Sequence, residues 1–106
     1  MKLGTIINAI PALQKLSQCN LTLRTAYNVK KLLRAAEDEI ELFQGETQKI
    51  IASPDLTEKE KIRRTDELLA FEIDTEIKPV VISLSEDVII TPNDLSLLED
   101  FIELKD

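Results

Sequence analysis

From Ala26 to Ile50 the residues Ala26, Val29, Leu33, Ala36, Ile40, Phe43, Thr47 and Ile50 recur at alternating steps of three and four. Only an α-helix, at 3.6 residues per turn, brings such positions onto one face. The run lasts more than three heptads, so the chain must accommodate one unusually long helix. It is predicted from about Leu23 to Ala52, a stretch without proline, with Thr22 as its N-cap. Gly45, on the flank of the seam, weakens it locally by about 1 kcal/mol. Leu32, Leu42 and Ile51 widen the apolar stripe beyond a strict seam, which predicts packing against more than one neighbour. Two partners for the seam are open: another helix of the same chain, or the equivalent helix of a second subunit.

Shorter elements surround this helix. Leu3, Ile6, Ile7, Ile10, Leu13 and Leu16 have helical spacing, but Pro11 falls among them. Proline interrupts a helix begun at Thr5 and is harmless after a cap at Asn8, so a broken or late-starting helix is expected. Gln18-Cys19-Asn20 reads as a turn. Ser53-Pro54-Asp55 ends the long helix, and Thr57-Glu58-Lys59-Glu60 is a capping box for a third one. That helix should run to about Leu69 or Ala70, with Ile62, Thr65, Leu68 and Leu69 inward. The short connection makes the second and third helices an antiparallel hairpin.

The period then changes to two. Phe71, Ile73, Thr75 and Ile77 alternate with acidic residues, as in a half-exposed strand. Val80-Val81-Ile82 and Val88-Ile89-Ile90 are further strand-like runs, joined through Ser85-Glu86-Asp87 as a possible hairpin. Thr91-Pro92-Asn93-Asp94 opens a last helix with Leu95, Leu98, Phe101 and Ile102 on its apolar face. The fold class expected is mainly α with a small β element (α+β). A single domain spans 1–106, helical over 1–70, with a β-strand or hairpin and a capping helix over 71–106.

Charge is segregated along the chain. All six charged residues before position 35 are basic, Lys2, Lys15, Arg24, Lys30, Lys31 and Arg34, and all twenty acids follow. Seven basic residues lie among those acids, and the net charge of the chain is -7. The sign changes inside the long helix. Either neighbouring helices complement one another, or the separation orients a charged partner. The chain has no His and no Trp, and Cys19 is its one cysteine. It therefore lacks the commonest general base, any internal disulfide and any Cys-rich zinc site. No apolar run approaches membrane-spanning length, and a cytoplasmic location is expected.

The segment Ile7-Asn8-Ala9-Ile10-Pro11-Ala12-Leu13-Gln14-Lys15-Leu16, then Thr25-Ala26-Tyr27 and Lys30-Lys31-Leu32, and a tail from Thr91 to Glu103, resemble in their order small uncharacterised proteins of phages and prophages of Gram-positive bacteria. The likeness covers most of the chain and rests on packing and capping motifs. It implies a phage or prophage origin and an accessory or morphogenesis role, and it brings no catalytic residues with it.

Two clusters carry possible chemistry. Glu37 and Glu41 lie four apart within Glu37-Asp38-Glu39-Ile40-Glu41, and such pairs hold Mg²⁺ in helical nucleotide pyrophosphohydrolases. Asp66 and Glu67 would have to complete that site. Otherwise the acids form a solvated face. Lys30, Lys31 and Arg34 form the densest basic patch, but only Tyr27 accompanies it, so nucleic acid is not expected as a partner. The reading reached is a non-catalytic protein-protein interaction protein, an assembly or accessory factor, with no cofactor and no catalytic or metal residue. The alternatives are a small acidic anti-host regulator and the Mg-dependent pyrophosphohydrolase. The candidate interaction surface comprises Leu32, Leu42, Ile51, Glu37 and Glu41. A homodimer is expected if Leu32, Leu42 and Ile51 stay uncovered within one chain.

Overall fold

A computed structural model describes residues 1–73 and 77–106. The elements are α1 (Leu3–Ser17), α2 (Leu23–Ala52), α3 (Glu58–Leu69), β1 (Val80–Ser83), α4 (Pro92–Leu97) and β2 (Ile102–Lys105). The long helix has the predicted limits, and its seam faces α1 and α3 of the same chain except at Ala26, which is exposed while Thr25 beside it is buried. The molecule measures 54 × 23 × 21 Å because α2 outruns everything packed on its first half.

Those two halves differ. At one end, a head gathers α1, the first half of α2, β1, α4 and β2 around one core of Ile6, Leu13, Leu16, Val29, Ile82 and Phe101, with Leu98 and Ala36 also fully enclosed. From the other end of the head, the second half of α2 projects with α3 laid back along it as a two-helix arm. Every buried residue of α2 lies at or before Ala36, and α3 has none.

Several sequence expectations need correction. α1 is neither broken nor late: it runs through Pro11 from Leu3. Leu3, Ile6, Ala9, Ala12, Leu13 and Leu16 are all buried along it, and that packing outweighs a proline cost of about 3 kcal/mol. Gly4 brings α1 against the end of α3, where a Cβ would stand 3.1 Å from the Leu69 carbonyl oxygen. The hairpin through Ser85-Glu86-Asp87 does not form. β1 pairs in parallel with β2, Val80 opposite Ile102 and Ser83 opposite Lys105. Residues 84–101, including α4, supply the long crossover that parallel strands need. Instead of turning back along β1, the segment is tied to the start of α2, through the Glu86 carboxylate on Thr22 and a backbone bridge between Asp87 and Asn20.

The last helix begins as predicted, with the Thr91 hydroxyl accepting from the Asp94 amide at 3.1 Å, but it ends at Leu97. Phe101 and Ile102 are buried as expected, beyond the helix instead of on it. Of the alternating segment 71–77, Phe71 and Ile73 pair with the N-terminus: Leu3 donates to the Phe71 carbonyl at 2.9 Å and Ile73 to that of Met1 at 3.1 Å. Phe71 itself is exposed, and Asp74, Thr75 and Glu76 lie outside the described residues.

Candidate interaction surface

The arm is held by its seam and by polar contacts at its tip. Ile40, Phe43, Thr47 and Ile50 face inward but remain half-buried, because a two-helix layer covers only part of each side chain. The Thr47 hydroxyl is enclosed in this layer without a hydrogen-bond partner. Such a group costs roughly 1–3 kcal/mol, which further limits the arm's own stability. At the tip the Thr57 hydroxyl accepts from the Glu60 amide at 3.2 Å, one half of the predicted capping box. The other half differs: the Glu60 carboxylate accepts from the Thr57 hydroxyl at 3.2 Å and not from the Thr57 backbone amide. Lys61 reaches across to the Ile51 carbonyl at 2.8 Å, placing a cation at the C-terminal end of α2.

Around this frame the arm leaves large apolar side chains in solvent. Leu42 is 67% exposed, Ile51 62%, Ile62 62% and Phe71 58%. They border two hollows. One, of about 290 Å³ where the arm meets the head, is lined by Leu3, Leu42, Phe43, Leu68, Phe71 and Ile73 together with Glu39 and Glu46. The other, of about 280 Å³ near the tip, lies between Ile51, Glu58, Lys61, Ile62 and Thr65.

The five residues singled out from the sequence do not form one patch. Leu32 is buried against the head, at 5% exposure, and belongs to the core; it is withdrawn from the surface. Leu42 and Ile51 are nine positions apart, which at about 100° per residue puts them on opposite flanks of α2. One exposed flank therefore does not contain all three, and the dimer expected from them loses its basis. Glu37 and Glu41 are exposed, on the side of α2 turned away from α1 and α3. Asp66 and Glu67 are not brought to them: among the described residues no three His, Cys, Asp or Glu side chains converge as metal ligands would.

Ile62 and Phe71 were expected inward. On α3 the inward line is Lys61, Thr65 and Leu68, at steps of four and three, and Ile62 is one residue off it. The Lys61 side chain, only 20% exposed, shows the true phase of the helix. That phase was obscured in the sequence because a lysine occupies an inward position.

Two carboxylates in the head fasten its parts together, and neither stands out in the sequence. Glu86 accepts from the Thr22 amide at 3.0 Å, the Thr22 hydroxyl at 2.8 Å and the Thr25 hydroxyl at 3.0 Å. It does for α2 what a capping side chain does locally, and Thr22 makes no such bond itself. These hydrogen bonds, those of Thr22 first, hold its carboxyl below the usual range. Asp94, 5% exposed, accepts from Lys15 Nζ at 3.1 Å, joining α4 to α1. The Lys15 hydrogen bond lowers its pKa against the opposing effect of burial.

Lys30, Lys31 and Arg34 are exposed on α2, with the Lys31 ammonium 5.6 Å from the centre of the Tyr27 ring. Cys19 is half-buried and its thiol is directed at the Lys15 carbonyl at 3.5 Å. Among the described residues no helix is long and apolar enough to cross a membrane. Comparison with protein-family models, with curated proteins and with solved structures gives no match, so the arm and its exposed flanks are the ground on which function must be argued.

Proposed function

We propose that the chain is a non-catalytic protein-binding factor whose α2–α3 arm engages another protein. The observation that carries this reading is a projecting arm without a buried core of its own, whose flanks leave Leu42, Ile51, Ile62 and Phe71 more than half exposed; the head, though it holds the core, also exposes Leu23, Leu84 and Ile89. Each such side chain gains roughly 1.5–3 kcal/mol when a partner covers it fully. Hollows bordered by apolar and charged residues on a projecting element suit insertion against a groove or helix of that partner. With the likeness to phage and prophage proteins, the role proposed is that of an assembly or accessory factor acting in the cytoplasm.

The test is affinity capture from infected or prophage-induced cells, using the wild-type chain beside Ile51→Glu with Ile62→Glu. A partner retained by the wild type, lost by the double variant and rebound from purified components supports the reading. Equal capture by both forms contradicts it.

The exposure of Glu37 and Glu41 supports a second reading, an acidic regulator of a host protein. In that case Glu37→Gln with Glu41→Gln, and not the apolar changes, abolishes capture. Absence of catalysis is tested separately: Mg²⁺-dependent hydrolysis of nucleoside triphosphates that disappears in Glu41→Gln would overturn it.

A further inference from the structure

The side of α2 opposite its seam has a repeat of its own. Tyr27, Lys31, Arg34, Asp38, Glu41, Gly45, Gln48 and Ala52 recur at alternating steps of four and three, and every one is exposed. Among the described residues none buries this face, although Lys31 at its edge borders a hollow with Ile77, Lys78 and Pro79. Its charges are ordered: Lys31 and Arg34 precede Ala36, and Asp38 and Glu41 follow it at mirrored distances. None of these four forms an ion pair among the described residues, and the one close partner of Lys31 is the Tyr27 ring.

Gly45 occupies the position that mirrors Tyr27. A Cβ there would meet nothing within 4 Å, so no contact inside the chain requires glycine. A glycine in mid-helix is nevertheless less favourable than alanine. Missing side-chain volume on an exposed helix face is what close approach by another chain requires.

We propose that this face binds a second copy of the chain, α2 against α2 in antiparallel order, about a two-fold axis passing the level of Ala36. In that register Lys31 meets Glu41 of the other copy, Arg34 meets Asp38, and each Tyr27 ring lies over the other copy's Gly45. A two-fold contact must be self-complementary, and a face basic at one end and acidic at the other fulfils that only when the helices run antiparallel. The parallel arrangement sets like charges opposite one another and is disfavoured. Nucleic acid fits poorly, since half of the face is acidic. The dimer leaves the flank of Ile51 and Ile62 open, so it neither requires nor excludes the partner proposed above.

Sedimentation at micromolar concentration tests this through a charge swap. One variant carries Lys31→Glu with Arg34→Glu, the other Asp38→Arg with Glu41→Lys. All four positions are exposed, and circular dichroism checks that the helix content is kept. The wild type should be a dimer that weakens as salt rises. Each variant alone should associate about tenfold or more weakly, because each meets only like charge in its copy. Mixed in equal amounts, they should form a one-to-one dimer, since every reversed charge then faces its opposite. Gly45→Leu, which its own chain accommodates, should weaken the wild-type dimer by filling the seat of Tyr27. A monomeric wild type, variants that dimerise as the wild type does, or a mixture that stays monomeric would each overturn the proposal.

Discussion

The two halves of α2 are written in the same pattern and meet different fates. In the head, Val29, Leu32 and Ala36 are 1%, 5% and 0% exposed, with α1 on one side and β1 on another. In the arm, Ile40, Phe43 and Ile50 continue the seam onto α3 alone and stay half-buried. Burial is thus decided by the number of layers that meet a residue, and not by its place in the repeat. The head holds the buried core of the chain, and the arm, which has no fully buried residue, projects from it.

Substitutions at matched residues should separate the halves most widely. Phe101 is fully buried in the head, and Phe101→Ala should cost roughly 3–5 kcal/mol in urea unfolding. Phe43→Ala in the arm should cost less, roughly 1–2 kcal/mol, since that side chain is only partly buried. Equal losses would remove the distinction.

The joint between the halves comes next. Gly4→Leu forces a side chain against the Leu69 backbone, and a loss of roughly 1–3 kcal/mol is expected. Gly45→Ala should do the reverse on the open face of the arm. Measured by thermal unfolding in dilute solution, it should gain about 1 kcal/mol or less from helix propensity alone. A loss there would mean that the arm packs against something within its own chain.

The smallest effect expected is on acid sensitivity, and it belongs to the head. Glu86 and Asp94 both titrate below their ordinary range when folded. A lowered folded pKa means that the unfolded chain binds protons first as pH falls. Their contribution is therefore present above the unfolded values, about pH 4, and is lost as pH drops through the folded ones. Unfolding followed between neutral and acid pH should show a shallower acid decline for Glu86→Gln and Asp94→Asn. An unchanged profile would indicate that these links contribute nothing to the fold.

Much of this architecture is legible in the sequence, for physical reasons. The limits of α2, the Thr57 and Thr91 caps and the turn at Ser53-Pro54-Asp55 depend on local chemistry that a short window contains. The pairing of β1 does not. Val88–Ile90 look as fit for a strand as Ile102–Lys105, and their segment is tied instead through Glu86 to Thr22 and Thr25, more than sixty positions earlier. Proline in α1 was misjudged because its cost is local while the compensating burial is tertiary. For the candidate surface, the widened stripe predicts that Leu42 and Ile51 pack against a further neighbour, and within the chain both are exposed instead. The burial of Leu32 was not legible, since it depends on where β1 docks, and the phase of α3 was hidden by the inward Lys61.

Amide hydrogen exchange, resolved to peptides of α1 and α3 in dilute solution, tests the division most directly. Amides near Leu13 and Leu16 should open only with global unfolding, whereas those of α3 from Ile62 to Leu68 should exchange orders of magnitude faster through local opening of the arm. Equal, global protection of α1 and α3 would show that head and arm are one cooperative unit, and would contradict the assignment of stability to one and of open binding surface to the other.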